Sequence, residues 1–425
     1  MTRFVPLLQL AARSAWNRRF VLSLVVASIA LSTLLLLGIE RIRNEVREGF
    51  SQSVSGTDLI VGARTGPVQL LLYSVFRIGS ATNNIRWQSV LDLSQHKAVA
   101  WTVPISLGDS HRGYSVVATS AGYFEHFHYG DRQPLVLAQG RPFADAGVFD
   151  VVLGAEVAHR LSYRLGDRVV LSHGDGAIAA NDHADKPFTV VGILARTGTP
   201  VDRSLHIGLA GMEAMHLDWI AGVPLPGMAV SAEQAVLQDL TPRNVTAVLV
   251  GLKSRAAVFS VQRRIADYRD EPLMAVLPGV ALDELWEVVG AGERGLLAVS
   301  VLVSVVSLAG LVAVILAGLN ERRRELAILR AVGCGPRTML ALLAIEGALV
   351  TACGVLLGLL SGALLLATLG GWFQDRFGFA LTLSPPAANE WLLMAAVLAG
   401  GWLASLVPGW RAYRLSLADG LSPRA

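Results

Sequence analysis

Four stretches of this chain, residues 20–39, 295–320, 347–374 and 391–410, run for twenty residues or more without a charged side chain. A hydrocarbon core about 30 Å thick is crossed by roughly 20 helical residues at ~1.5 Å each, so every one of these stretches is long enough to span a bilayer. Composition agrees. Hydrophobic residues make up 53% of the chain and charged residues 16%, against about 25% charged in soluble domains, so the excess apolar surface must face lipid. The first stretch follows Arg13, Arg18 and Arg19 as a secretory signal would. However, it exceeds the usual ~7–15 apolar residues and runs into Gly-Ile-Glu-Arg-Ile-Arg, not into a small-x-small cleavage site, so it is expected to stay as an anchor.

Arginine placement sets the expected orientation. Arg3, Arg13, Arg18 and Arg19 precede the first span; Arg322, Arg323, Arg324, Arg330 and Arg337 separate the second from the third; Arg411, Arg414 and Arg424 follow the fourth. The acids in the same segments are Glu321, Glu325 and Asp419. Of the chain's 36 basic and 33 acidic residues these segments hold 12 and 3, leaving 24 and 30 elsewhere. Both termini are therefore expected in the cytoplasm. The layout reads as an amphipathic segment 1–19, spans 20–39, 295–320, 338–374 and 391–410, a cytoplasmic segment 321–337, a short outer loop 375–390 and a tail 411–425. Trp286, Trp372 and Trp391 fall near the outer ends of spans and Trp16, Trp402 and Trp410 near the inner ends, as interfacial aromatics do.

Residues 40–294 then form an extracytoplasmic domain between the first two spans. It has no cysteine, since Cys334 and Cys353 are the only two, so a disulfide framework is excluded. Ile42, Val46 and Phe50 continue a helical stripe beyond the first span, and Leu282, Leu285 and Val289 approach the second among Asp283, Glu284 and Glu287. Two stalk helices are expected. Between them, short apolar runs at 59–61, 99–107, 114–118, 151–153, 168–171, 188–194 and 245–250 read as strands, with helices near 156–163 and 254–268 and loops at 174–176, 180–186 and 224–226. The fold class is an α-helical membrane protein with four transmembrane helices and a large mixed α/β domain between the first two. A subdomain inserted at about 131–241 fits the pattern.

The run ERRRELAILRAVGC at 321–334 resembles the cytoplasmic motif of MacB/FtsX-type ABC transporter permeases, which include the LolC/LolE-like members. VVLGAEVAHRLSYRLGDRVVL at 151–171, FTVVGIL at 188–194, Glu346 opening the third span, and Pro408-Gly-Trp-Arg411-Ala-Tyr agree with it. The stretch LIVGARTGPVQLLLYSVFRIGSATNNI at 59–85 departs from the general family pattern and leaves the substrate open. The resemblance implies a non-catalytic membrane subunit in a bacterial inner membrane, coupling ATP hydrolysis by a separate ATPase to work done on the periplasmic side. ATP and Mg would be bound by that ATPase, with no cofactor on this chain. The implied partners are the cytoplasmic ATPase, a second permease copy (identical or a close paralogue) and a periplasmic adaptor, binding protein or hydrolase. An FtsX-like signalling subunit controlling a cell-wall hydrolase, and a zinc-linked uptake component, remain as alternatives. The residues themselves agree on the ATPase: the chain has no G-x-x-x-x-G-K-[ST] and no Gly-Lys dipeptide, hence no Walker A phosphate cradle. A net charge of +3 argues against nucleic acid.

An Arg/Glu run on a cytoplasmic helix is ordinarily a positive-inside anchor, but the resemblance makes Glu321, Arg324, Glu325, Leu326, Leu329, Arg330 and Gly333 the expected ATPase-coupling face, with Glu325 and Arg330 as charged contacts and Gly333 as the turn. Glu346 either snorkels toward the cytoplasm or makes a polar contact with a neighbouring segment. Gly354, Gly358 and Gly362 form a G-x-x-x-G-x-x-x-G face for close helix packing within the subunit or, more sharply, across a dimer. All nine histidines fall in the outer domain. His126, His128, His173 and His183 are the ones nearest to a metal-binding pattern, but they lack fixed ligand spacing, so solvated loop polarity and no metal are expected. Gly108-Asp-Ser-His111 faintly resembles a hydrolase nucleophile turn without a following D-x-x-H, so no catalytic residue is expected.

Overall fold

A computed structural model describes residues 19–53, 55–144, 147–174, 182–220, 223–224, 230–321, 328, 331, 334–377 and 384–414. Four of its helices are long and apolar enough to cross a membrane: α1 (Arg19–Gln52), α2 (Pro278–Glu321), α3 (Pro336–Phe377) and α4 (Ala388–Arg414). The chain divides into two compact units: one holds these helices up to Glu45 and from Gly290 onward, the other the region 46–289.

In the helical unit, Leu22, Val25, Ile29 and Leu36 of α1 pack with Leu311, Ile315 and Leu319 of α2, Leu343 and Val350 of α3, and Met394 and Val397 of α4. The outward faces are equally apolar. Val299, Leu302 and Val306 of α2 are exposed, as are Leu356, Leu360 and Leu364 of α3, which is the pattern of helices solvated by lipid. With no hydrophobic drive between helices in lipid, association rests on close packing and interhelical hydrogen bonds. Ser28 and Ser32 of α1 meet Ser307 and Ser304 of α2 at 2.9 and 2.6 Å, bonds worth about 1 kcal/mol each in such surroundings.

The second unit is built, among the described residues, on a twelve-stranded sheet. Leu59–Ala63, Ala247–Leu252 and Val99–Ser106 lie antiparallel side by side, with Leu273–Val276 beyond Leu59–Ala63. The sheet continues through Tyr114–Thr119, Ser204–Gly208 and Asp150–Leu153 to Phe188–Leu194. Side chains alternate between two covered faces, as the period of two requires. Ile60, Leu249 and Val117 enter one core with Leu70, Tyr73 and Phe76. Leu59, Val61, Val248 and Val250 enter another, covered by Val258, Val261 and Ile265 of the helix Val258–Ala266. A third core gathers Val116, Val151, Leu153, Phe188 and Leu205 under Met212 and Met215 of the helix Leu209–His216. The departing stretch 59–85 supplies a fully buried strand, then a buried helical turn from Pro67 to Phe76 that packs under the sheet.

Candidate functional site

In the helical unit the glycine face lies against α1. A Cβ built on Gly354 would stand 2.6 Å from Ile29 Cγ2, and one on Gly358 would stand 2.6 Å from the Ala30 carbonyl oxygen and 2.9 Å from Thr33 Cβ. At Gly362 the nearest atom is Leu34 Cδ1 at 3.4 Å, an ordinary contact. Of the two uses expected for this face, the contacts seen are those of packing within one chain. Glu346 is 1% exposed and so is packed among the helices, one residue before Gly347, which sits against Ser405 of α4. Glu40, not singled out from sequence, is also buried, and it accepts hydrogen bonds from Arg43 at 2.8 Å and from Asn389 of α4 at 3.4 Å.

Of the stalk residues, Leu282 is buried in the core of the α/β domain and Leu285 packs against it, whereas Ile42 is exposed and Val46 half-buried. The α1 and α2 extensions meet through aromatic rings. Phe50 stacks on Phe76 at 4.2 Å and touches Trp286 edge-on at 5.6 Å, and the Arg47 guanidinium lies over the Trp286 ring at 5.2 Å. Val46, Phe50, Arg77 and Arg203 line a cleft of about 340 Å³.

The four histidines noted from sequence separate into two pairs. His126 stacks flat on Trp101, and His128 bonds the His126 carbonyl through Nδ1, so neither meets a carboxylate there. His173 and His183 instead converge with Asp109 and His216. Antiparallel pairing of Asp109–His111 with Ser172–His173 sets Asp109 directly opposite His173, and Asp109 Oδ1 lies 3.0 Å from His173 Nδ1. His216, the last residue of its helix, brings Nε2 to 3.4 Å from the same oxygen and bonds the Met212 carbonyl through Nδ1 at 2.9 Å. His183, tied back through its backbone N–H to the Leu171 carbonyl, sets its ring 4.9 Å from that of His216 and 4.2 Å from Trp219. Solvated loop polarity therefore fails as a description of His183: it is fully buried, because the segment 182–186 is pinned to the sheet by the Ser172–Asp182 bridge and by the buried Lys186–Asp218 ion pair at 2.5 Å.

Electrostatics sharpen this cluster. Burial would raise the Asp109 carboxyl, but the imidazoles of His173 and His216 beside it hold it below its ordinary value. Burial alone would depress His216, yet Asp109 raises it. His183 is pushed down to about 4 by burial, with His216 adding to the effect. Asp109 Oδ2, both His183 ring nitrogens and His216 Nε2 are buried without a hydrogen-bond partner, an arrangement that costs about 1–3 kcal/mol per group. Among the described residues Asp109, His173 and His216 are the group whose ligand atoms could share a metal ion, all within 4.8 Å of one another. Asp109 and His216 were missed from sequence; the one signal for Asp109 was its place in the Gly108-Asp-Ser-His111 turn.

The MacB-like periplasmic core domain family matches residues 20–268, more than half of the chain, and the FtsX-like permease C-terminal family matches 297–417. This chain belongs to the MacB/FtsX-type ABC transporter permeases. The permease is 26% identical to the lipoprotein-releasing system transmembrane protein LolC of Neisseria meningitidis serogroup B over 69% of each chain, and 24% identical to the LolC protein of Xylella fastidiosa over 65% of each. Its likeness to the crystal structure of the periplasmic region of MacB from Actinobacillus actinomycetemcomitans covers 55% of this chain and 94% of that one, at 12% identity and a TM-score of 0.34. The permease's expected coupling residues Arg324, Glu325, Leu326, Leu329, Arg330 and Gly333 lie outside the described residues, and Glu321 is the last residue of α2.

Proposed function

We propose that this permease recruits a separate cytoplasmic ATPase and converts ATP hydrolysis there into movement of its periplasmic core domain, as the non-catalytic subunit of a machine that extracts or exports cargo from the periplasmic side. The observation that carries this reading is the length of α1 and α2. They are 34 and 44 residues long, or about 51 and 66 Å at ~1.5 Å per residue, well beyond the ~30 Å a bilayer needs. Each is one unbroken helix that includes Phe50 or Trp286, so a shift at one end has a stiff path along it. Four serines of the spans support the same reading. Ser28, Ser32, Ser304 and Ser307 are used in holding α1 to α2, whereas a solute path needs a polar lining. The names of the LolC relatives support lipid-anchored protein as the cargo class.

In this reading both termini are cytoplasmic, the complex holds two permease copies, and Glu325 and Arg330 carry the charged contacts with the ATPase. The permease in nanodiscs with its cognate ATPase is expected to hydrolyse ATP, with both turnover and complex formation weakened by Glu325→Ala and Arg330→Ala. Wild-type turnover and assembly in both variants would remove the coupling role. A cysteine placed at Ile42 or Val46 and cross-linked between copies is expected to stop cargo release. Release that continues with the cross-link formed would rule out force transmission through the stalks.

A further inference from the structure

We propose that the α/β domain carries a site for a divalent transition-metal ion of the zinc class, held by Asp109, His173 and His216, with the His183 imidazole completing the shell. Four segments distant in sequence are brought to one point: the strand Asp109–His111, the strand Ser172–His173, the end of the helix Leu209–His216 and the segment that follows Asp182.

Spacing is the first support. Ligand atoms in a tetrahedral shell at ~2.0–2.1 Å from zinc lie about 3.3–3.4 Å apart. Asp109 Oδ1 stands 3.0 Å from His173 Nδ1 and 3.4 Å from His216 Nε2, and no separation within the trio exceeds 4.8 Å. Small side-chain rotations close the remaining edge, and His183, which lies outside the trio with its ring 4.9 Å from that of His216, must turn in to become the fourth ligand.

Lone pairs are the second support. Nδ1–H of a neutral His216 donates to the Met212 carbonyl, which leaves an unprotonated Nε2 facing a carboxylate oxygen. Two lone pairs brought together in this way are relieved by a proton on Nε2 or by a metal ion between them. A backbone carbonyl that fixes the tautomer from the far side of the ring is the usual outer support of a metal-bound histidine. Burial completes the case, because Asp109 Oδ2 and both nitrogens of the fully buried His183 have no partner in the protein. A proton on His216 could satisfy Asp109, but it leaves His183 with nothing.

The donor set identifies the ion class. Three imidazoles and one carboxylate suit Zn²⁺, with Cu²⁺ and Ni²⁺ as competitors, and are too poor in oxygen for Ca²⁺ or Mg²⁺. With His183 turned in, all four positions are filled by protein and the site is closed, so the ion would clamp these segments together and would not activate water.

The test uses the full-length, tag-free permease in detergent, stripped by chelator and titrated with Zn²⁺ and then with Co²⁺ as a spectroscopic probe. Expected are about one ion per chain at micromolar affinity or tighter, the visible absorption of tetrahedral Co²⁺, and a higher melting temperature with Zn²⁺ that Mg²⁺ does not reproduce. Asp109→Asn and His216→Ala are expected to weaken Zn²⁺ by about 100-fold or more, and His183→Ala by about 10- to 100-fold, while the exposed His159→Ala leaves binding unchanged. Where a variant fails to fold, X-ray absorption of the Zn²⁺-loaded wild type decides, since it should report a nitrogen/oxygen shell with scattering from three imidazoles. Millimolar binding, retained affinity in folded Asp109→Asn and His216→Ala, or a shell with fewer than two imidazoles would overturn the assignment in favour of an ordinary His216–Asp109 ion pair.

Discussion

Acidification should destabilise the α/β domain through His206, a residue outside the Asp109–His173–His216 cluster. It lies in the strand Ser204–Gly208, 0% exposed, with its ring 5.2 Å from Tyr123 and 6.3 Å from Phe124. Burial, reinforced by the nearby Arg77 guanidinium, pushes it down to about 3 from the ordinary 6.5. The folded-state value is depressed, so the stability this neutral imidazole allows is fully present above about pH 6.5 and is lost as pH falls toward 3. In that window the unfolded chain takes up a proton that the folded chain refuses. Each pH unit costs about 1.4 kcal/mol, so between pH 6.5 and 4.5 the site removes about 3 kcal/mol. His206→Phe keeps an aromatic ring of similar shape among aromatic neighbours and removes the proton site. Urea unfolding of full-length wild type and variant, followed by tryptophan fluorescence at pH 7 and 4.5, isolates this contribution, because all other titrations cancel in the difference. The variant is expected to lose about 3 kcal/mol less than wild type on acidification. Equal losses would mean that His206 is not buried in its neutral form and would refute the reasoning.

Gly358→Leu is expected to lower thermal stability in detergent by about 1–3 kcal/mol or prevent assembly of the bundle, because the new side chain meets the Ala30 carbonyl, which cannot move aside. Gly362→Ala, facing only Leu34 at contact distance, should melt within experimental error of wild type. Lys186→Met strands the buried Asp218 carboxylate and should cost about 3–5 kcal/mol in urea unfolding, and the double change Lys186→Met with Asp218→Leu should recover most of it. A double variant no more stable than Lys186→Met would show that the carboxylate was not the source of the loss.

Much of the molecule is local in origin and so could be read from sequence. A charge-free run of twenty residues states its own environment, since a buried or lipid-facing helix needs no distant partner to declare it. The four spans and the mixed α/β domain between the first two follow from that, and the 321–334 motif identifies the family. The strand reading was sound at 188–194, which forms Phe188–Leu194, but passed over the short apolar Leu273–Val276. It missed the fully buried Ser204–Gly208, whose Ser204 and His206 look like loop polarity until neighbouring strands cover both faces.

Tertiary structure decided which residues meet. Spacing alone shows that Gly354 and Gly358 make a smooth face, but only the fold sets that face against Ile29, Ala30 and Thr33 of α1. Spacing likewise shows histidines near acids between 173 and 185, whereas Asp109 and His216 join them through a strand register and a helix end separated by more than a hundred residues. Hydrophobic periodicity specifies which side of an element is buried, not which element covers it. That choice is made by the register of the sheet and the packing of the bundle, and it brought scattered loop histidines together around the buried Asp109.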